Sequence, residues 1–429
     1  MPTSKHPLTY RQFQRKDGFL AMKERVHSTQ RIEFLREVYV WITCNDKRKG
    51  GLRICPLLCT IETEENDQTQ YRLIFPLAEG PLTALWSAFP LGRGDARLTP
   101  QWLAGELAAL AETLAVVHHG TDYEKATPQK QALFGRFGDV KPSNILHFRD
   151  DATSGAVGSL VFSDLGLAKV HRNVTLSNSV AADTRHSLTY KAPEFEYLDR
   201  GIGRCADSMQ LQEFLSPLCD GSGQRQASCS RSVPSPSPVL GKKKLTPGVA
   251  VWGFGCTLLQ HLTWYIMGHD PITRTSTAYN LVRALFPDFD TDDDSRADIE
   301  PRADSWVPVD LFDDLRDEVV QKTYSQDMFY TKDVIAGQPG RVTLRPSVVC
   351  WIKVLHEHER CSPFLHELLA FIQTRMLHVH NEERATADEV HKRFAKLDSR
   401  LKTDDHFGKS CGRHRNCHTP PAAVYHPVA

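Results

Sequence analysis

The chain has 429 residues, 41% of them hydrophobic, so it is long enough to bury a large core and is no peptide-like scaffold. Lysine plus arginine (52) equals aspartate plus glutamate (52), which excludes a global field that would draw the protein to nucleic acid or an anionic membrane. Eleven scattered cysteines behind a polar, basic Met1–Lys16, with no apolar stretch of a secretory leader, point to a reducing cytosolic or nuclear setting.

Residues 19 to 80 read as strand-rich with one helix. "FLAMKERV" precedes "RIEFLREVYVWI", whose Phe34, Val38 and Ile42 recur every four residues as on a helix face, and "YRLIF" (Tyr71–Phe75) reads as a strand. From about Pro81 the pattern turns helical, with Leu103, Leu107, Leu110, Leu114 and Val117 in one stripe and Gly120 as the stop. Val249–Gly268 is a long apolar run, but Gln260 and His261 lie near its centre and no basic cluster flanks it, so a buried core helix is expected and no membrane span. Further helices are expected around Val348, Ile352 and Leu355, then around Phe364, Leu368, Leu369 and Ile372. A last one opens with the capping box "TADE" at Thr386, ahead of Val390, Phe394 and Leu397.

Two stretches break the pattern. Residues 199–247 include a Ser/Pro/Gly/basic segment with too little apolar surface to order itself, so a disordered insertion is expected there; residues 403–429 read as a flexible tail. The acidic residues 286–300 read as a solvated loop, Lys242–Lys244 as linker charge, and the cramped Cys411, His414, Cys417 and His418 as an incidental cluster rather than a zinc site.

The chemistry-bearing stretch is "FGDVKPSNIL". Phosphoryl transfer needs a carboxylate to orient a hydroxyl, a cation near the moving phosphoryl, and oxygen ligands for Mg²⁺. Asp139, Lys141 and Asn144 supply these within one turn stiffened by Pro142, and downstream "LVFSDLGLAK" holds Asp164 at the end of an apolar strand, with Gly166 allowing a sharp exit.

"GDVKPSNIL", "SDLGLAK" and "TYKAPE", in that order, resemble the catalytic loop, the metal-binding motif and the A-P-E motif of eukaryotic protein kinases. The resemblance extends over residues 19–400, apart from the insertion. It implies an α+β, two-lobed protein-kinase-like fold, with a small strand-rich N-lobe over residues 1–80 and a mainly helical C-lobe over residues 81–402. It further implies ATP- and Mg²⁺-dependent transfer to serine or threonine hydroxyls of a protein substrate. Asp139 and Lys141 would be the catalytic pair, and Asn144 and Asp164 the metal ligands. Lys23, held by Glu37, would grip the phosphates; Phe75 would stand as gatekeeper, with the Leu77 and Ala78 backbone beside the adenine. Thr189 would position the substrate, and Arg384 would pair with Glu194. The Gly-Asp loop and the insertion are similar to a group of fungal kinase-domain proteins.

Four departures from the family pattern stand out. Gly18 is the sole glycine ahead of Lys23, so the N-lobe lacks a recognisable glycine-rich loop; either the chain begins part-way through a longer protein or the phosphate cover is absent. Phe137 replaces the family histidine. Gly138 replaces the arginine that clamps an activation-segment phosphate, so phosphorylation at Thr175, Ser177 or Ser179 is not expected to be the on-switch. Ala250 replaces a buried aspartate that braces the loop, a loss of about 1.5 to 3 kcal/mol of local order. These departures keep open the alternative of a catalytically weak or inactive pseudokinase serving as a binding or scaffold module.

Overall fold

The computed structural model describes residues 9–15, 18–26, 34–35, 37–38, 41, 52–65, 68–119, 134–149, 157–164, 169–171, 188–195, 247–268, 328–332 and 342–411. The expected insertion up to residue 246, the acidic residues 286–300, Gly120, Gly166, Thr175, Ser177, Ser179 and the tail from residue 412 lie outside the described residues. Within them the architecture is α+β, with six α-helices and small antiparallel sheets.

The largest sheet is antiparallel and four-stranded, in the order β1 (Thr9–Arg15), β2 (Gly18–Val26), β4 (Gln68–Pro76), β3 (Cys59–Glu65). Strand β1 lies ahead of the strand-rich stretch expected from residue 19. It is a polar edge strand, and an edge has no second neighbour to demand a strict apolar alternation. Tyr71, Leu73 and Phe75 alternate along β4 and are all buried, so they share one face, and Leu73 stands opposite Lys23 in the register.

Phe34, Leu35, Glu37, Val38 and Trp41 are helical. The sequence pattern pointed Phe34, Val38 and Ile42 inward. Instead, Phe34, Glu37 and Trp41 are buried, Val38 is half-buried, and Ile42 lies outside the described residues. The face is rotated because Glu37 has a buried partner, and a paired carboxylate can sit where an apolar residue was expected.

Helix α1 (Leu82–Ala88) and helix α2 (Pro100–His119) follow, the latter burying the predicted leucine stripe. Short strands come next, of which only the apolar run ahead of Asp164 was expected from the sequence. β6 (Phe134–Arg136) pairs with β9 (Lys169–His171); β7 (Ile145–Phe148) lies between β5 (Gly80–Pro81) and β8 (Ser159–Phe162).

Helix α3 (Gly248–Met267) is buried on every side, as its all-round apolar sequence requires. Several of its polar side chains have internal partners, whereas among the described residues Trp252 Nε1 and His261 Nε2 are buried without one. The Tyr190 hydroxyl donates to Gln260 (2.8 Å), Trp86 Nε1–H donates to His261 Nδ1 (2.9 Å), and Trp351 Nε1–H donates to Thr263 (2.9 Å). Among the described residues no helix is long and apolar enough to cross a membrane.

β10 (Tyr330–Lys332) pairs with β11 (Val342–Leu344), and α4 (Pro346–Glu357), α5 (Pro363–Phe371) and α6 (Ala387–Thr403) complete the chain, α6 packing along α2. The capping box at Thr386 and Glu389 is formed in full. Residues 404–411, expected in the flexible tail, instead fold back. Phe407 is 1% exposed, its ring edge-on to Phe364 at 6.0 Å and covered by the Arg400 guanidinium at 3.8 Å. Its carbonyl accepts from Phe364 N–H at 3.0 Å. The buried aromatic and the satisfied backbone groups contribute against the ordering entropy of this short strap.

Candidate active site

Strand register brings the first group together. On β2 and β4 the residues facing one way are Ala21 and Lys23 opposite Phe75 and Leu73. The helical segment lies across this face through two aromatic contacts, Phe34 on Tyr71 (4.7 Å) and Trp41 on Phe75 (5.1 Å). Glu37 falls between them and reaches Lys23 Nζ at 2.7 Å. Both side chains are essentially sealed from water, at 1% and 0% exposure. A buried charge pair of this kind is held by packing on both sides and is costly to leave half-made.

The second partner of Lys23 arrives from far along the chain: Asp164 Oδ1 lies 2.7 Å from the same Nζ. Asp164 has φ +53, the only non-glycine with positive φ among the described residues. Aspartate tolerates this left-handed conformation better than most residues, and the turn places its carboxylate on Lys23.

A hairpin joins the Asp164 segment to the 139–144 loop. Ile145 opens β7 and pairs with Phe162, which closes β8, so Asn144 and Ser163 meet just beyond the paired ends. Ser163 N–H donates to Asn144 O at 2.8 Å, and its hydroxyl donates to the same carbonyl at 3.1 Å. Inside the loop, Asn144 Nδ2 donates to the Asp139 carbonyl (2.8 Å) and lies 3.4 Å from Asp139 Oδ2, which Lys141 Nζ meets at 2.5 Å. Among the described residues this leaves Asp139 Oδ1 and Asn144 Oδ1 without a protein partner, one a base able to accept a proton, the other a neutral oxygen ligand.

Support for the loop is apolar. Phe137 is buried and stacks on Phe162 (4.8 Å), whose edge meets Phe254 of α3 (5.9 Å). Ala250 is buried and offers no acceptor. Gly253 permits the closest approach: a Cβ there would lie 2.8 Å from the Val140 carbonyl, the residue after Asp139. The sequence reading missed Ser163, Trp41 and Gly253; the signal available was the pair of glycines in "VWGFGC", which helices otherwise avoid.

Arg384, beside the same N-terminal turns of α3, holds Glu194 through two bonds of 2.8 and 3.0 Å, donates to Gly248 O, and lies over Trp252. Leu77 and Ala78 form the half-buried connection between β4 and β5, and Thr189 sits in the 3-10 turn Leu188–Tyr190. Phe75, Leu77, Ala78 and Thr189 make no side-chain hydrogen bond or ion pair to Lys23, Glu37, Asp139, Lys141, Asn144 or Asp164. A cavity of about 420 Å³ opens between Pro76, Phe148 and Val161; among the described residues Arg53 is the one charged group lining it, and Lys23, Glu37, Asp139, Lys141, Asn144 and Asp164 are not part of its lining.

Two carboxylates around one ammonium carry a net charge of −1, and the Asp139–Lys141 pair adds none. Carboxylate and amide oxygens are hard donors, suited to Mg²⁺ rather than to a thiophilic ion. Comparison with protein-family models and with curated proteins gives no match to this chain.

Proposed function

We propose that this chain is a two-lobed, protein-kinase-like phosphotransferase that uses ATP and Mg²⁺ to phosphorylate serine or threonine hydroxyls of a protein substrate. One observation carries the reading: Lys23 lies between Glu37 and Asp164, 2.7 Å from each. A lysine buried between a helix carboxylate and a turn carboxylate supports a role in gripping phosphates beside a metal. Asn144 and Asp164 would hold the metal, which would supply charge neutralisation for the transferring phosphoryl group.

The remaining work falls to side chains. Asp139 receives the hydroxyl proton on Oδ1, its orientation fixed by Lys141 and Asn144. Lys141 offers its ammonium to the transferring group once it leaves Asp139. Lys23 gives up Asp164 Oδ1 in favour of phosphate oxygens while Glu37 keeps it in place. Leu77 and Ala78 supply backbone polar groups to the adenine behind Phe75, and Thr189 orients the peptide.

The scaffold reading, a pseudokinase, is favoured by the apolar bracing at Phe137 and Ala250. Melting with and without Mg-ATP, followed by labelled phosphate transfer to a general protein substrate, separates the two. The enzyme reading expects a raised Tm and transfer that Asp139→Asn removes. A raised Tm with no transfer selects the scaffold, and the absence of both rejects nucleotide binding altogether.

A further inference from the structure

The corner between α4 and α5 gathers three soft donors far from the residues above in sequence. His356 is in the last turn of α4, Cys361 in the connection, and His366 in the first turns of α5, where its N–H bonds to Ser362 O at 2.9 Å. The two imidazoles are stacked, with planes 4° apart and Nδ1 atoms separated by 2.7 Å. Cys361 Sγ lies 3.6 Å from His366 Nδ1, and the three ligand atoms are all within 4.8 Å of one another.

Hydrogen bonding uses part of this arrangement: one Nδ1–H shared between the two rings makes a single bond, and the Cys361 thiol also faces the Ser362 carbonyl at 4.0 Å. A neutral imidazole Nδ1 carries either one proton or one lone pair. His366 Nδ1 is approached by both His356 Nδ1 and Cys361 Sγ, so a cation among them is an alternative to the shared proton. A cation placed among them takes one lone pair from each donor and satisfies all three together. Zn–N bonds of about 2.0 to 2.1 Å and a Zn–S bond of about 2.3 Å, set tetrahedrally, require N···S near 3.6 Å and N···N near 3.3 Å. The Cys361–His366 contact already has that length, and to meet one ion the imidazoles would part and turn toward a common point.

We propose that His356 Nδ1, Cys361 Sγ and His366 Nδ1 form a binding site for a thiophilic divalent cation, Zn²⁺ first, that fastens the α4–α5 corner. One thiolate with two imidazoles is a donor set that selects zinc over magnesium or calcium. Burial and the neighbouring His366 push His356 down to about 4, so it is neutral and ready as a ligand at neutral pH. Burial, helped by Cys411, pushes the Cys361 thiol up to about 12, so metal binding displaces a proton into solvent. The positive groups at the corner are Arg360, in the connection itself, and Arg93, which donates to Arg360 O at 2.7 Å and partly offsets the shift of the thiol.

The site also reaches the strap of residues 404–411. Cys411 N–H donates to Cys361 O at 2.9 Å, which brings a second thiol beside the first. An ion at the corner therefore ties two helices and the strap at one point, and the inference does not rest on the phosphotransfer reading.

The test uses the full chain stripped by a chelator and titrated with Co²⁺ or Zn²⁺. Expected results are a thiolate-to-cobalt charge-transfer band saturating at one equivalent and a zinc-dependent rise in Tm. Both should be lost in Cys361→Ser and retained in Cys417→Ser/His418→Asn. Zinc X-ray absorption on the unmutated protein covers the case in which Cys361→Ser does not fold; imidazole and sulfur should both appear in the first shell. The proposal is overturned by a wild-type spectrum without the band, by a first shell lacking either donor type, or by a signal that survives Cys361→Ser and vanishes in the tail variant.

Discussion

Lys23 and Asp164 are 141 residues apart in sequence and 2.7 Å apart in space, and Glu37 holds the other side of the same ammonium. Replacing Lys23 with Met removes the 2.7 Å cationic partner of the Glu37 carboxylate, whose side chain is 0% exposed, and should lower stability by roughly 3 to 5 kcal/mol. Lys23→Met/Glu37→Leu should recover most of that loss, because no buried charge remains unpaired. Urea unfolding of the two single variants and the double variant closes the cycle; additive losses would mean that the pair is not coupled.

Asp164 separates function from stability. Its side chain is a quarter exposed, so Asp164→Asn, which also tolerates the left-handed turn, should shift stability by no more than about 1 kcal/mol. Phosphate transfer should fall by about two to three orders of magnitude, the size expected for removing a charge aimed at the reacting group. Asp164→Ala should lose a further 1 kcal/mol or so to backbone strain at φ +53. Full activity in the Asn variant would remove Asp164 from the metal site.

Gly253 sets two effects against each other. Alanine in a helix interior is favoured over glycine by about 1 kcal/mol, yet the added Cβ would lie 2.8 Å from the Val140 carbonyl. A backbone oxygen next to Asp139 cannot move without displacing the loop, so the clash should win. Gly253→Ala is expected to lower both Tm and transfer, with activity lost in larger proportion. A Tm above wild type would show that the loop yields freely.

Acid sensitivity has a specific source in α3. His261 is fully buried, and desolvation pushes it from 6.5 down to about 3. The unfolded chain therefore takes up a proton below pH 6.5 that the folded protein refuses until about pH 3, and stability falls as pH drops through that window. One such group contributes a slope of about 1.4 kcal/mol per pH unit. His261→Asn keeps an acceptor for the Trp86 N–H and removes the titration, so its stability between pH 6 and pH 4 should fall less steeply, by about that amount per unit. Equal slopes in denaturant melts would assign the acid loss to other groups.

Much of the helical framework was legible in the sequence because each helix carries its own signal. The α2 stripe, the capping box at Thr386 and the uniformly apolar α3 are local patterns, and local patterns survive into the structure. The rotation that buries Glu37 in place of Val38 was hidden, since Lys23, a partner that makes that face habitable for a carboxylate, lies on a strand elsewhere in the chain. Of the short strands only β8 was legible, as the apolar run ahead of Asp164; β5, β6, β7 and β9 were hidden, since two to four residues hold too few alternations to read and pairing alone makes them strands. The same holds for the strap, which depends on Phe407 meeting Phe364 and Arg400.

The sequence by itself determined the order of the chemistry-bearing residues and the spacing of Asp139, Lys141 and Asn144, because those lie within one turn of chain. Only the tertiary structure decided which distant groups meet: Asp164 with Lys23, Val140 against Gly253, His356 beside His366 around Cys361. Spacing along a chain constrains neighbours, whereas the contact between remote residues is set by strand register, by the close approach a missing Cβ permits, and by the angle at which helices turn a corner.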